Sequence, residues 1–385
     1  MKFIFASDSF KGTLTSRDTI ELLTKSAREV FGGEQCQCIG VPIADGGEGT
    51  VDAILEACGG EKITLKAHDP LMREIPSFYG KIDRNRAILE MAAASGLSLL
   101  HPEEYDPMDA TTYGTGELIR DALQKGFTEI YIAIGGSATN DGGMGCMRAL
   151  GVRFLDANGK ELEGKGADLE KIRNIDDSEM LPGLKRAKIN VICDVTNPLC
   201  GKEGAAYTFG GQKGADPAKM ERLEKGMQNY REILRQKYGK DADAMPGSGA
   251  AGGLGAALMI FLNGVRRPGI ETVLDLIRFD EMLQDCSLVI TGEGKTDGQT
   301  CFGKAVQGIG RRCSKYDIPV IALSGSMGNG AERILEDGVD SIMVTLREPS
   351  TLEEALHNAK TNYADAAVRM FRMIRVGMRI AEKSN

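Results

Sequence analysis

The sequence predicts an α/β protein: a doubly wound parallel sheet built from both chain ends, with a second α/β domain inserted between them. Three observations lead there. Short apolar segments end again and again in loops of Gly, Asp, Ser or Thr, and most are followed by helical spacing, the alternation that builds parallel sheets. The chain has 385 residues, too many for one core, so two domains are expected. It carries 49 Gly and only 12 Pro, which suits tight loops that approach a ligand closely rather than a disordered, Pro-rich chain.

Taken in order, residues 2–7 read as the first strand, ending in Asp8-Ser9-Phe10-Lys11-Gly12-Thr13. Thr15-x-x-Asp18 then spells a capping box, and Ile20, Leu23, Ala27 and Val30 keep helical spacing up to Gly32-Gly33. Residues 37–43 form a second strand that ends in Ala44-Asp45-Gly46-Gly47-Glu48-Gly49-Thr50, before a helix with Val51, Ile54, Leu55 and Cys58 inward. In the middle, strand 129–134 runs into Gly135-Gly136-Ser137-Ala138-Thr139-Asn140-Asp141-Gly142-Gly143, and strand 189–193 into Asp194-Val195-Thr196-Asn197-Pro198. Residues 151–186 break the pattern, with Asn158-Gly159 as a hairpin turn. Asp216-Pro217 opens a helix whose stripe of Met220, Leu223, Met227, Tyr230 and Leu234 is packing. The glycines of 247–255 serve either close helix packing or a ligand. Strands 287–290, 320–323 and 341–345 follow, then a long helix from about Leu352. The first two βα units and these last strands share a style. The expected domains are therefore 1–62 with 283–385, and an insert of 63–282.

Composition excludes several classes. The net charge is -8, and no Lys/Arg cluster marks a nucleic-acid face. The longest apolar run, 254–262, has nine residues, against the roughly 18 needed to span a membrane. The N-terminus enters a strand with no leader-like apolar region. Nine Cys without a C-x-x-C pair read as reduced core thiols of a cytoplasmic protein. Three His, none in a Gly-rich loop, argue against a His triad or His-rich zinc site.

In open parallel sheets ligands bind beyond the C-terminal ends of the strands. Asp8, Asp45, Glu48, Asp141, Asp194, Glu293 and Asp297 all fall there, mostly beside Gly. One such acid is usually a helix cap. Seven together point to a cation among them, which Mg2+ with a phosphate-bearing ligand would supply. Lys11 and Lys295 stand in two of these loops, where an ammonium can neutralise phosphate charge. Gly298-Gln299-Thr300-Cys301-Phe302-Gly303-Lys304 has G-x-x-x-x-G-K spacing. However, Ala305 replaces the Mg2+-binding Ser/Thr and no strand leads directly into the loop. It reads as a chance match, or as a different phosphate loop. No G-x-G-x-x-G follows the first strand, which disfavours a dinucleotide-dependent dehydrogenase.

Taken together, Ser7-Asp8-Ser9-Phe10-Lys11-Gly12, the 42–50 loop, the 135–143 loop, Cys193-Asp194-Val195-Thr196-Asn197-Pro198-Leu199, Gly201-Lys202-Glu203-Gly204-Ala205 and Thr291-Gly292-Glu293-Gly294-Lys295-Thr296-Asp297 resemble the bacterial glycerate kinases of the first, two-domain type. The resemblance implies an outer flavodoxin-like domain, an active site between two domains, and ATP-dependent phosphorylation of D-glycerate, at the 2-hydroxyl. Such a reaction needs Mg2+ ligands, for which Asp45, Glu48 and Glu293 are candidates. It needs phosphate-facing groups: Lys11 for the transferring phosphoryl group, and Lys295, Gly292, Gly294, Gly46 and Gly47 around the nucleotide. Asp194 is the first choice for the carboxylate that takes the hydroxyl proton, with Asp8 and Asp297 behind it. Arg73 is the candidate partner for the glycerate carboxylate, and Ser137, Thr139, Asn140, Asp141 and Asn197 are candidates for contacts with substrate oxygens. A kinase of a related hydroxy acid, a glycerate 3-kinase, a non-kinase hydroxy-acid enzyme and a non-catalytic binding module are the alternatives. Oligomeric state is not readable.

Overall fold

A computed structural model describes residues 1–10, 12–44, 47, 49–298, 300 and 304–384. The chain folds as two compact units, Met1–Asp45 with Ile270–Asn385, and Gly46–Gly269. The units divide at 45/46 and 269/270, before the expected 62/63 and 282/283: helix Thr50–Cys58 packs on strands Glu74–Lys81 and Arg86–Glu90 of the second unit, and Arg312 of the first unit pairs with Glu271, Asp275 and Asp280.

The first unit holds a five-stranded parallel sheet in the order Gln37–Gly40, Lys2–Phe5, Leu288–Thr291, Val320–Ser324, Ser341–Val344. Counted along the chain within this sheet, that is the 2-1-3-4-5 order of flavodoxin-like folds. Leu288–Thr291 is buried at every position, as expected of a central strand covered on both faces. Helix Ser16–Phe31 starts at the expected capping box, with Thr15 accepting from Asp18 N and the Asp18 carboxylate accepting from Thr15 N. It packs against Ala359–Ser384, where the rings of Phe3, Phe31 and Phe371 meet tilted or edge to face with centroids 5.5–6.0 Å apart. The single C-terminal helix expected from about Leu352 is two: Leu352–His357, with its own Thr351/Glu354 capping box, and Ala359–Ser384.

The second unit holds six strands in the order Val265–Arg267, Lys188–Ile192, Glu129–Ala133, Arg86–Glu90, Glu74–Lys81, Glu61–His68. The first four are parallel and the last three form an antiparallel meander. The Asn158-Gly159 turn closes a Leu155–Glu161 bridge, and Arg153–Leu155 then pairs with Asn174–Asp176. Asp216 caps helix Pro217–Tyr238 by accepting from Lys219 N, and Leu223, Met227, Tyr230 and Leu234 of its stripe are fully buried. No described helix is long and apolar enough to cross a membrane.

Candidate functional site

In the first unit, the loops after strands Lys2–Phe5 and Leu288–Thr291 lie side by side, with Asp8 N donating to Gly292 O at 2.9 Å. These strands flank the point where the strand order reverses, the usual ligand crevice of such sheets. A cavity of about 580 Å³ opens there. Its polar wall includes Asp8, Glu293, Gly294, Lys295, Lys304 and Ser326, and its apolar wall Phe10, Leu14, Leu346, Leu352, Leu356 and Tyr363. An apolar cleft with a few convergent polar groups is the common form of a small-ligand site.

Glu293 is the anchor of the polar wall. It is 9% exposed, and its Oε1 accepts from Thr300 Oγ1 at 2.6 Å and Thr296 Oγ1 at 3.3 Å. Its Oε2 stands 3.9 Å from Lys304 Nζ. Burial pushes its carboxyl up, with the nearby Asp297 charge in the same direction, while the two threonines and Lys304 oppose the shift. Lys295 projects with 62% of its side chain exposed and pairs with Asp297 Oδ2 at 3.2 Å. Lys304 sits at the start of helix Ala305–Ser314, where amide N–H groups and the helix dipole favour anions. The 298–304 motif therefore delivers its lysine to this cavity without being a standard nucleotide loop. Lys304 was not among the expected site residues, although the motif spacing signalled it. Gly294 lines the cavity, whereas Gly292 answers to packing: a Cβ there would lie 2.0 Å from Leu323 O. Lys11, Asp45, Gly46 and Glu48 lie outside the described residues. Gly47 accepts from Thr50 Oγ1 at 2.7 Å, in the turn that starts helix Thr50–Cys58 of the second unit.

In the second unit, strands Glu129–Ala133 and Lys188–Ile192 are parallel neighbours, so loops 134–143 and 193–198 leave the same sheet edge. Asp141 is fully buried. Its Oδ2 accepts from Thr112 N (2.8 Å), Thr112 Oγ1 (2.7 Å) and Gly145 N (3.1 Å), and its Oδ1 from Gly143 N (2.9 Å). Burial raises its pKa, and the four donors act against that shift. Asp141, expected to contact substrate oxygens, is tied to the backbone beneath the loop.

Thr139 and Asn140 are also fully buried, and among the described residues Thr139 Oγ1 and Asn140 Oδ1 have no hydrogen-bond partner. Asn140 Nδ2 donates to Ala205 O at 3.3 Å. Ser137 is 8% exposed and accepts from Lys213 Nζ at 2.7 Å; the same ammonium donates to Thr139 O at 2.6 Å. Lys213 is 1% exposed, and burial pulls it down to about 7 while Asp141 acts against that shift. No sequence signal singled it out, since its partners lie 76 and 74 residues away.

Asp194 is exposed, with Oδ1 accepting from Gly269 N at 2.7 Å. Arg266 Nη1 fixes the preceding residue by donating to Cys193 O at 3.0 Å. Asn197 Nδ2 donates to Glu203 O at 2.8 Å, closing its own turn. The glycines of 247–255 serve packing: a Cβ on Gly249 would lie 2.0 Å from Pro198 O, and one on Gly252 2.1 Å from Thr139 O.

Arg73, the expected partner of the substrate carboxylate, is paired within the second unit. It lies at the turn between strands Glu61–His68 and Glu74–Lys81, and its guanidinium is already engaged, by Asp69 through Nε (2.5 Å) and by Glu104 through Nη1 (2.6 Å). Two carboxylates on one guanidinium leave a net negative patch, which repels a substrate carboxylate.

A family model for the glycerate kinase family matches residues 3–375. The chain belongs to the glycerate kinase family. It is 42% identical over 382 residues to a glycerate 2-kinase of Escherichia coli (strain K12), covering 99% of this chain and 100% of the relative. It is 43% identical over 363 residues to a glycerate kinase of Bacillus cereus (strain ATCC 10987 / NRS 248), covering 94% and 95%. A crystal structure from Salmonella typhimurium LT2, assigned to glycerate kinase 2, aligns with a TM-score of 0.86 at 40% identity, over 98% of this chain and 99% of the other. The chain is thus an enzyme, a glycerate kinase with the two-domain α/β fold of that family.

Proposed function

We propose that the chain transfers the γ-phosphoryl group of ATP to the 2-hydroxyl of D-glycerate. The observation that carries this reading is the cavity at the strand-order reversal of the first unit. Its lining combines two lysines, a helix N-terminus and carboxylates with a set of apolar side chains. That pairing suits a ligand with a polyphosphate at one end and a flat heterocycle at the other. The 2-position follows the relative named as a glycerate 2-kinase.

Lys295 and Lys304 are the groups to hold the phosphates, stabilising charge on the transferring group and on the leaving one. Glu293 fits Mg2+: only its Oε1 is taken by hydroxyls, and this ion commonly uses one or two carboxylates together with phosphate oxygens. Held by Glu293, such an ion would supply positive charge to offset the phosphates. Asp194 is the carboxylate to receive the proton of the 2-hydroxyl as its oxygen bonds to the phosphorus and ADP leaves. Asp8 and Asp297 lie in the first unit, Asp297 already paired with Lys295, and they rank behind it. The 135–143 loop is the segment to hold the hydroxy acid.

The test is ATP turnover with D-glycerate, followed by phosphorus NMR of the product. The reading predicts ADP and 2-phosphoglycerate. A 3-phosphoglycerate product would overturn the position, and absence of turnover would overturn the substrate.

A further inference from the structure

Arg73 is engaged elsewhere, so the carboxylate of a small hydroxy acid needs another recognition group. We propose that Lys213 is a positioning residue that acts through Ser137, turning its hydroxyl into an obligate donor for the carboxylate of the hydroxy-acid substrate. The proposal rests on the glycerate kinase reading and deepens it by naming the group that recognises the substrate's anionic end.

A lysine ammonium has three donors and no acceptor. Lys213 gives one to Ser137 Oγ at 2.7 Å and one to Thr139 O at 2.6 Å. Below about pH 7, where Lys213 keeps its third proton, Ser137 Oγ is the acceptor in that pair, and its own proton must leave in another direction. No acceptor for that proton is present among the described residues, and Ser137 keeps 8% exposure. An O–H polarised by a cation behind it, with no internal acceptor, suits an anionic oxygen arriving from outside.

The support is rigid on both sides. Ser137 pairs with Gly96 in an isolated bridge, and Ala138 N donates to Ser95 O at 3.0 Å. Lys213 closes the short turn Gly211–Lys213, followed by Gly214 in the left-handed region at φ +92°, where a Cβ would lie 2.1 Å from Tyr105 O. Asn140 Nδ2 adds a further tie to the same segment through Ala205 O. Burying an ammonium is costly, and a merely structural link between these loops could be made by a neutral side chain.

The test, run at about pH 6 where Lys213 is an ammonium, is a double-mutant cycle in the full chain, with Lys213→Met, Ser137→Ala and the pair. Provided the wild type turns over D-glycerate with ATP, Lys213→Met is expected to raise KM for D-glycerate about tenfold, the loss of one charge-linked hydrogen bond, and to leave KM for ATP unchanged. In the Ser137→Ala background the same substitution should change KM for D-glycerate little. Additive effects, equal rises in both KM values, or no rise would overturn the proposal. Failure of the wild type to use D-glycerate would instead overturn the substrate reading itself. Should Lys213→Met not fold, the wild type still decides. Lys213 is the one fully buried lysine among the described residues, so its ammonium signal in nitrogen-15 lysine NMR is protected from exchange. D-glycerate should shift that signal, and Ser137→Ala should abolish the shift; a signal indifferent to D-glycerate contradicts the proposal.

Discussion

The loops beyond the first-unit sheet and the 135–143 loop of the second unit use the same residue types in opposite ways. In the first unit, charge is only partly spent. Lys295 is mostly exposed, Lys304 stands 3.9 Å from Glu293, and one Glu293 oxygen lacks a hydroxyl partner. In the second, Asp141 is buried under four donors, and Lys213 is buried with two acceptors. The difference separates two jobs. Partly satisfied, exposed charges suit a ligand that brings its own charge and metal. A buried network around Asp141 and Lys213 fixes the backbone on which a small neutral-plus-anionic substrate must be oriented.

That contrast can be broken at its sharpest point with Asp194→Asn. Asn keeps a carbonyl oxygen for Gly269 N–H, so the fold should survive. The loss of a proton acceptor should lower kcat about 10²–10⁴-fold, read by coupled ATP assay beside thermal melting. Near-full turnover would remove Asp194 as the base. Asp141→Asn tests the buried side. An amide turns a donor toward existing donors and leaves buried N–H groups unsatisfied, so unfolding should become easier by about 3 kcal/mol. A urea midpoint equal to that of the wild type would show that the carboxylate is not the staple of this loop.

A smaller effect separates the two regions by pH. Lys213 titrates near 10.5 when unfolded and about 7 when folded. Between those values the unfolded chain binds more protons, so this group makes stability rise with pH from about 7 to about 10.5, and that contribution is lost as pH falls through the window. Lys213→Met should flatten the rise in denaturation midpoint between pH 7 and pH 10; an unchanged slope would mean the ammonium is not desolvated. The smallest effect is expected for Arg73→Ala. Its guanidinium is exposed and tied to two acids, so stability should change by less than about 1 kcal/mol and KM for D-glycerate should not move. A raised KM would restore Arg73 to the site.

Much of the first unit was legible because its signals are local. The Thr15/Asp18 capping box, the buried Leu288–Thr291 strand and the Gly-acid loops each declare themselves within a few residues. The antiparallel meander carried a signal too, in the period-two Ile63, Leu65 and Ala67 of strand Glu61–His68, but the dominant strand–loop–helix pattern masked it. The earlier domain boundary comes from helix packing, which is a tertiary fact. At the site, Asp8, Glu293, Gly294 and Lys295 do share one cavity. The roles of Asp141 and Arg73 depended on partners that loop composition does not contain, and Lys213 on contacts more than seventy residues away.

The central claim is that the first-unit cavity holds the nucleotide phosphates through Lys295 and Lys304. Calorimetric titration of ATP with Mg2+ into the wild type, the Lys295→Ala/Lys304→Ala double variant and Ser137→Ala, without D-glycerate, tests it directly. The account predicts affinity weakened about tenfold or more in the double variant, as expected for lost charge-assisted phosphate contacts, and unchanged in Ser137→Ala. Equal ATP affinity in all three proteins would contradict it.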